Sequence, residues 1–489
     1  MDNVNTTVLL QQLQLQNRSL LHEISYLKQE VAQLRRLIFG QKRERHIPAG
    51  SGQQLDMGLG DTVIEQEIQV EQISYQRKKV RPKPAPHGRG ALPAHLVRHD
   101  RIIEPDEDTS NLQKIGEEIT EELDYKPGSL FVNRYIRPKY ARPDGSGVVI
   151  AALPSRPIEK GIPGAGLLAH VAISKFLEHQ PLYRQKQHFK RQGVTLSDST
   201  LGDWITYTYE ILMPLYALHK ERLLKRRYLM ADETPIKVLD RHKKGRSHTG
   251  YFWVYYDPLG REALFDYREN RNREGPNERL ADFQGHLQVD GYKGYDETGR
   301  REDITLLGCM AHARRYFEKA LSNDKKRASW MLEKIRLLYM IERFAKNHQL
   351  SYEERRSLRQ EHALLIMTGM RDWLDREKLE VLPRSLMGKA IGYMLTFWDR
   401  LKRYLDDGRF EIDNNLVENA IRPVALGRKN YLFAGSHNGA ERAAILYTLI
   451  STAKLHGHDP YEYLKDVISR IADHPYNRLE DLLPANWSN

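Results

Sequence analysis

Cysteine is almost missing from this sequence: Cys309 is the one thiol among 489 residues. That excludes an intramolecular disulfide and any zinc finger built on thiolates. Long apolar runs are missing too, and none approaches the roughly 18 residues that cross a bilayer. The N-terminus is rich in Gln and Leu and lacks a short apolar core before a small-residue cleavage site, so it does not read as a signal peptide. These absences point to a cytoplasmic protein with no membrane partner. Excess charge of one sign is also modest. Lys plus Arg number 76 against 65 Asp plus Glu, a net +11 with a pI near 9.3. The surplus favours nucleic acid over acidic or neutral partners, although a solvated basic surface accounts for it equally well. With 40% hydrophobic residues, the chain can bury cores for about two to four domains.

What is present begins with a heptad repeat over 8–40. Leu13, Leu20, Leu27 and Leu34 fall at d, while Leu10, Asn17, Ile24, Val31 and Ile38 fall at a. Leu at d with Ile or Val at a favours a parallel two-stranded coil, and a lone Asn at a fixes its register. A homodimer, or a higher oligomer on DNA, is the expectation. A basic linker over 41–100 follows. Its RKKVRPKPAPHGRG run is extended, and either tracks phosphates or is simply solvated. Over 101–155, alternation from Ile115 to Ile150 predicts a small β domain of three or four short strands hinged at Pro143–Gly147.

From Gly164 the period turns helical, and 160–222 reads as a helical DNA-binding domain. One helix is followed by a second starting at Pro181, a turn at Gly193, and a third capped by Ser197 or Asp198. Two short helices about a Gly turn fit a helix-turn-helix, and an ordinary helical hairpin as well. Arg184 and Lys190 on the second helix are its candidate DNA contacts.

Acidic residues then arrive at the ends of apolar stretches. RRYLMADETPIKVLD reads as a central strand delivering Asp232 to its end, with Glu233 on the other face. Two strands joined at Asp257–Gly260 form a hairpin. HLQVDGYKGYD supplies a fourth strand ending at Asp290, and ITLLGCMAHARRYFEKAL a fifth strand and a helix bearing His312, Arg314 and Arg315. A three-stranded meander, then strands alternating with helices, describes an α/β fold. It is a ribonuclease-H-like mixed sheet, the catalytic core spanning 226–326 and 407–455. The helical pattern between those parts is an inserted subdomain over 327–406, and 456–489 form a C-terminal helix and tail.

The rest is organised around LDDGRFEIDNNLVENAIRPVALGRKNYLF, Leu405 to Phe433. Asp413 or Asn414 is a good N-cap. Leu416, Val417, Ala420 and Ile421 mark a buried face, and Pro423 is expected to end or kink the helix. Glu418, a carboxylate among apolar neighbours with Arg422, Arg428 and Lys429 close behind, reads as a metal ligand beside cations that face a polyanion. An Asp at a strand end is most often a turn former. Here two follow apolar strands and a Glu follows on a separate helix. Three hard oxygen donors suit Mg²⁺ or Mn²⁺, and two such ions serve in-line phosphoryl transfer. His312 is taken as a contact to DNA or a support to the metal ligands, and Cys309 as a small core residue. The residues alone reach a metal-dependent nucleic-acid phosphoryl transferase.

ADETP, VDGYKGYD, CMAHARRYF, DNNLVENAIRPVALGRKNYLFAG and HDPYEYLKDVISRIADHP resemble the insertion-sequence-66 family of bacterial transposases. So do LLAHVAISKFLEHQPLYRQ and the zipper followed by IFGQKRER. The resemblance implies a DDE transposase with Asp232, Asp290 and Glu418 as the metal-binding triad. It implies Mg²⁺-dependent nicking at the element's 3′ ends and attack of those 3′-hydroxyls on target DNA. The implied partners are double-stranded DNA, at the terminal repeats and the target, and accessory proteins of the same element. The implied location is cytoplasmic, on the nucleoid. Family members carry two CxxC pairs around the small β domain, where this chain has DEDTSNLQKIGEE and KYARPDGSGVV. No zinc is therefore expected. Two other readings stand beside the transposase: a dimeric DNA-binding regulator with a degenerate nuclease fold, and a structure-specific nuclease that cuts without joining.

Overall fold

The computed structural model describes residues 128, 130–136, 139–141, 148–150, 155–158, 161–239 and 247–488. The zipper residues Leu13 to Leu34, the basic linker and the first part of the small β domain lie outside the described residues. Strands β1 (Lys139–Ala141) and β2 (Val148–Ile150) pair antiparallel. Residues 130–136, where alternation predicts a further strand, run without regular structure, with Phe131, Val132 and Ile136 exposed. Alternation describes one strand's faces and supplies no partner edge.

Three helices come next: α1 (Ala165–Phe176), α2 (Leu182–Arg191) and α3 (Asp198–Leu224). Pro181 sits at the start of α2, Gly193 takes a left-handed φ of 84°, and Ser197 Oγ accepts from Thr200 N at 3.1 Å. Glycine adopts that backbone without steric cost, so the turn falls where the sequence places it. The third helix is 27 residues long, and its later half runs onto the sheet. Leu168, Phe176, Leu212 and Leu215 share one core with sheet residues Tyr228, Met230, Ile236 and Val238.

The sheet comprises β3 (Tyr228–Leu239), β4 (Ser247–Asp257), β5 (Glu262–Arg268), β6 (Gly285–Gln288) and β7 (Ile304–Leu307), with α4 (Glu274–Arg279) leading into β6. Its order is β5-β4-β3-β6-β7. The first three strands form an antiparallel meander, β6 runs parallel to β3, and β7 parallel to β6. Because side chains alternate, β3 buries Met230 and Val238 against the helical core and Leu229 and Ala231 in a second cluster with Trp253, Tyr255 and Phe283. Each Val, Leu, Met or Phe among them contributes about 1.5–3 kcal/mol on full burial.

Helix α5 (Met310–Ala320) leaves β7 at Cys309. The insertion holds α6 (Lys325–Asn347), α7 (Tyr352–Leu358), a single π-turn at Arg359–Ala363, α8 (Leu364–Glu377), α9 (Leu386–Thr396) and α10 (Trp398–Lys402). The chain then forms α11 (Asn415–Tyr431), α12 (His437–Leu455) and α13 (Pro460–Arg470). An unpaired strand edge invites aggregation unless covered. Here Thr448 and Thr452 of α12 accept from Phe265 N and Ala263 N of β5, at 2.9 and 3.2 Å. From α3, Tyr216 and His219 cover the Phe265 and Ala263 carbonyls. Among the described residues, no helix is long and apolar enough to cross a membrane.

Candidate active site

Asp232 lies in the middle of β3, because the strand runs on to Leu239 in register with β4. It stands, however, where the parallel neighbour leaves the sheet. The β3–β6 pairing ends at Met230 opposite Gln288, and carrying that register two residues further sets Asp232 level with Asp290. Val289 N still reaches Leu307 O at 3.0 Å, after which Gly291, at φ 100°, turns the chain. Asp290 Oδ1 accepts from Tyr292 N at 2.8 Å. The insertion leans on this turn: Tyr393 of α9 donates to Asp290 O at 2.5 Å. A Cβ on Gly291 would stand 3.0 Å from the Phe397 ring, so glycine serves both the φ and the close approach.

Glu418 reaches the same region because α11 is tied along β3. Asn414 Nδ2 donates to Ala231 O at 3.3 Å, Arg428 Nη1 donates to Thr234 Oγ1 and Pro235 O at 3.0 and 2.7 Å, and Ala434 N donates to Lys237 O at 2.8 Å. Asn414 occupies the N-cap, but its side chain is spent on β3 and caps nothing. Asp413 Oδ1 accepts from Asn415 N instead, at 2.9 Å. The helix continues through Pro423, which was expected to end or kink it. Proline has no N–H for the Asn419 carbonyl, but ties at both ends keep the helix on its strand. Val417, Ala420 and Ile421 are buried, whereas Leu416 is 37% exposed and lies outside the packed face.

Burial, then the charges of Glu233, Asp290 and Glu418, hold the Asp232 carboxyl well above the usual carboxylate range. Such mutual repulsion is what a cation relieves. All the donors are hard oxygens, which fit Mg²⁺ or Mn²⁺. Among the described residues, no three His, Cys, Asp or Glu side chains are gathered tightly enough to hold a metal ion as they stand. The Glu418 carboxylate is instead turned to α5, where Arg315 Nη2 donates to Oε1 at 2.5 Å. His312 Nδ1 is 4.0 Å from the same oxygen. Burial and the Arg315 charge hold the His312 pKa below its ordinary value.

Five of the residues singled out in the sequence thus lie in one region and feel one another's charge: Asp232, Asp290, Glu418, His312 and Arg315. Arg314 instead pairs with Glu318 on its own helix at 2.9 Å. Arg428 is committed to β3. Arg422 and Lys429 on α11, and Arg184 and Lys190 on α2, are exposed.

Gln288 and Arg271 escaped the sequence reading. Gln288 is fully buried and bonds Gly308 O and Glu411 O at 3.0 and 2.9 Å while accepting from Tyr228 at 2.6 Å. A lone amide in an apolar strand was the available signal. Glu233 pairs with Arg271, which stacks on Tyr292 with its guanidinium carbon 4.1 Å from the ring centre. Cys309 is buried, accepts from Asn414 N at 3.2 Å, and has its thiol pushed up by burial, consistent with a core role.

Comparison with known proteins gives four family matches. Residues 160–442 match the Transposase IS66 family, and 448–485 the IS66 C-terminal element. Residues 26–101 match Transposase C of IS166 homeodomain, and 107–141 the zinc-finger binding domain of transposase IS66. The last match corrects the expectation that no zinc is involved. That expectation weighed missing thiolates alone, whereas the stretch is rich in Asp and Glu, whose oxygens also ligate zinc. Among curated proteins of Sinorhizobium fredii (strain NBRC 101917 / NGR234), the Uncharacterized protein y4jD is 36% identical, covering 94% of each chain. Uncharacterized protein y4hP is 35% identical over 94% of this chain and 88% of its own. With more than half its length matched by one family and near-full-length relatives beside it, the chain belongs to the IS66 family of transposases.

Proposed function

We propose that this transposase cuts DNA at the 3′ ends of its insertion sequence and joins them to target DNA, using Asp232, Asp290 and Glu418 to hold divalent metal, Mg²⁺ or Mn²⁺. The observation that carries this reading is the lashing of α11 to β3, which brings Glu418 to the point where β6 leaves β3 and Asp290 follows. The strand order β5-β4-β3-β6-β7, a meander followed by two parallel strands, supports a ribonuclease-H-like core. Two metal ions so held would activate the attacking oxygen and stabilise the leaving 3′-oxygen. The chain's own part is to place three carboxylates, exclude water from behind Asp232, and offer cations to the phosphates. Exposed Arg422 and Lys429, with Arg184 and Lys190 on α2, suit phosphate contacts. Arg315 and His312 stand beside Glu418, and Arg314 one helix position from Arg315. The heptads of 8–40 support a homodimer, and partners encoded by the same element would assist it.

The test is incubation of the full chain with duplex DNA carrying the element's ends, target DNA and Mg²⁺, scoring nicked and joined products separately. Both products are expected. Nicks without joining would mark a structure-specific nuclease, and end binding without nicking a DNA-binding regulator.

A further inference from the structure

The cation that Glu418 holds in this structure is a side chain. From α5, Arg315 Nη2 donates to Glu418 Oε1 at 2.5 Å and Nη1 to His312 Nε2 at 3.2 Å. An arginine seated on a metal ligand is either a permanent strut, which denies that oxygen to a metal, or a placeholder that leaves when a metal arrives.

Three observations favour the placeholder. First, the Arg315 side chain is 38% exposed against 19% for Glu418, so it can swing out without carrying an unpaired charge through the protein. A partly exposed ion pair is also weak, and a divalent ion outcompetes it. Second, Glu418 does not stand alone with Arg315, since its charge and those of Glu233 and Asp290 press on buried Asp232. Losing the single positive charge of the guanidinium from this acidic set is tolerated when a divalent ion brings two in its place. Third, a substitute partner is already in place. Because Arg315 donates to His312 Nε2, the neutral imidazole carries its proton on Nδ1. That Nδ1 is buried with no hydrogen-bond partner and faces Glu418 Oε1 at 4.0 Å. It is positioned to hold the Glu418 carboxylate once the guanidinium has gone.

We propose that Arg315 is a positioning residue that neutralises Glu418 in the metal-free protein, yields the carboxylate to divalent metal, and then turns its guanidinium to a DNA phosphate. Metal loading and DNA engagement are thereby linked: Glu418 releases the guanidinium to phosphate only after the site is charged. A guanidinium suits this double use because its planar fork matches carboxylate and phosphate alike. The inference rests on Glu418 being a metal ligand.

The test is Mn²⁺ binding to the full chain without DNA, followed by calorimetry or by the paramagnetic resonance of free Mn²⁺, for the wild type, Arg315→Gln, Arg315→Lys and Glu418→Gln. Arg315→Gln is expected to bind Mn²⁺ about threefold to tenfold more tightly, because the competing charge is gone. Arg315→Lys should fall between it and the wild type, and it decides the question if the Gln variant does not fold. With Mn²⁺ present, Arg315→Gln should bind end DNA more weakly, with a salt slope reduced by about one. Folded Arg315 variants whose Mn²⁺ affinity is unchanged or weaker would overturn the proposal. Wild-type Mn²⁺ binding by Glu418→Gln would instead remove the ligand assignment beneath it.

Discussion

Asp232 and Glu233 are neighbours in β3 that face opposite sides of the sheet. Asp232 shares its face with Thr234 and the side chains of α11, while Glu233, its side chain 2% exposed, pairs with Arg271 on the other. Burial and the Asp290 charge push the Glu233 carboxyl up to about 7. The two carboxylates therefore answer to different tests. Asp232→Asn should abolish cleavage while leaving stability unchanged or raised by about 1 kcal/mol, since it removes one charge from a repelling set. Glu233→Gln should retain cleavage and leave stability at pH 8 unchanged or raised by about 1 kcal/mol, since a carboxyl with a raised pKa opposes folding once ionised and the half-exposed Arg271 is left to solvent. Urea denaturation run beside a cleavage assay separates them.

Arg359 is fully buried on the π-turn of the insertion. Its guanidinium bonds both Glu342 oxygens at 2.8 Å and the carbonyls of Tyr404, Asp407 and Phe410 at 2.7–2.8 Å. The segment it clamps leads directly to Asp413 and α11. Arg359→Ala leaves three buried carbonyls unpaired and Glu342 to Arg355 alone, so a loss of about 3 kcal/mol is expected by urea denaturation.

Among the cations of α11, position decides role. Arg428→Ala should cost about 1–2 kcal/mol of stability, because its bonds to Thr234 and Pro235 are lost. Arg422→Ala and Lys429→Ala should leave stability within about 0.5 kcal/mol. Each should weaken DNA binding and reduce its salt slope by about one. Fluorescence anisotropy over a salt series reads that slope.

Lys175 of α1 stands over the Tyr431 ring at the end of α11, 5.1 Å from its centre, and burial lowers its pKa to about 8. Unfolded lysine titrates near 10.4, so between those values the unfolded chain binds more protons and stability rises with pH. Below pH 8 the penalty is complete and constant. Lys175→Met should therefore stabilise the protein by about 2 kcal/mol at pH 7, after allowance for partial exposure. The difference from wild type should vanish near pH 10.5, as thermal unfolding across pH will show.

Much of this was legible because it is local. Alternating residues marked both faces of β3 and β4, Gly193 and Ser197 set a turn and a cap, and two Asp after apolar strands stood out beside Glu418. The misreadings have physical causes. Pro423 obeys a local rule against helix interiors, but ties to Ala231 and Lys237 supply a tertiary context that no local rule contains. Asn414 has a capping side chain, and β3 offers it another partner. Arg428 was grouped with Arg422 by charge, although a rotation of about 100° per residue turns one toward β3 and leaves the other in solvent. The insertion's hold on Asp290, through Tyr393 and Phe397, joins residues 103 apart in the chain for the Tyr393 bond, and spacing carries no sign of it.

Glu418 is the ligand that joins α11 to the two strand aspartates in the proposed metal site. Its most direct test is Mg²⁺-dependent cleavage of element-end DNA by Glu418→Gln, with end binding measured on the same preparation. Cleavage is expected to fall by about three orders of magnitude or more, the scale on which metal-site electrostatics act, while end binding remains within about threefold of wild type. Cleavage at the wild-type rate by that variant would contradict the account.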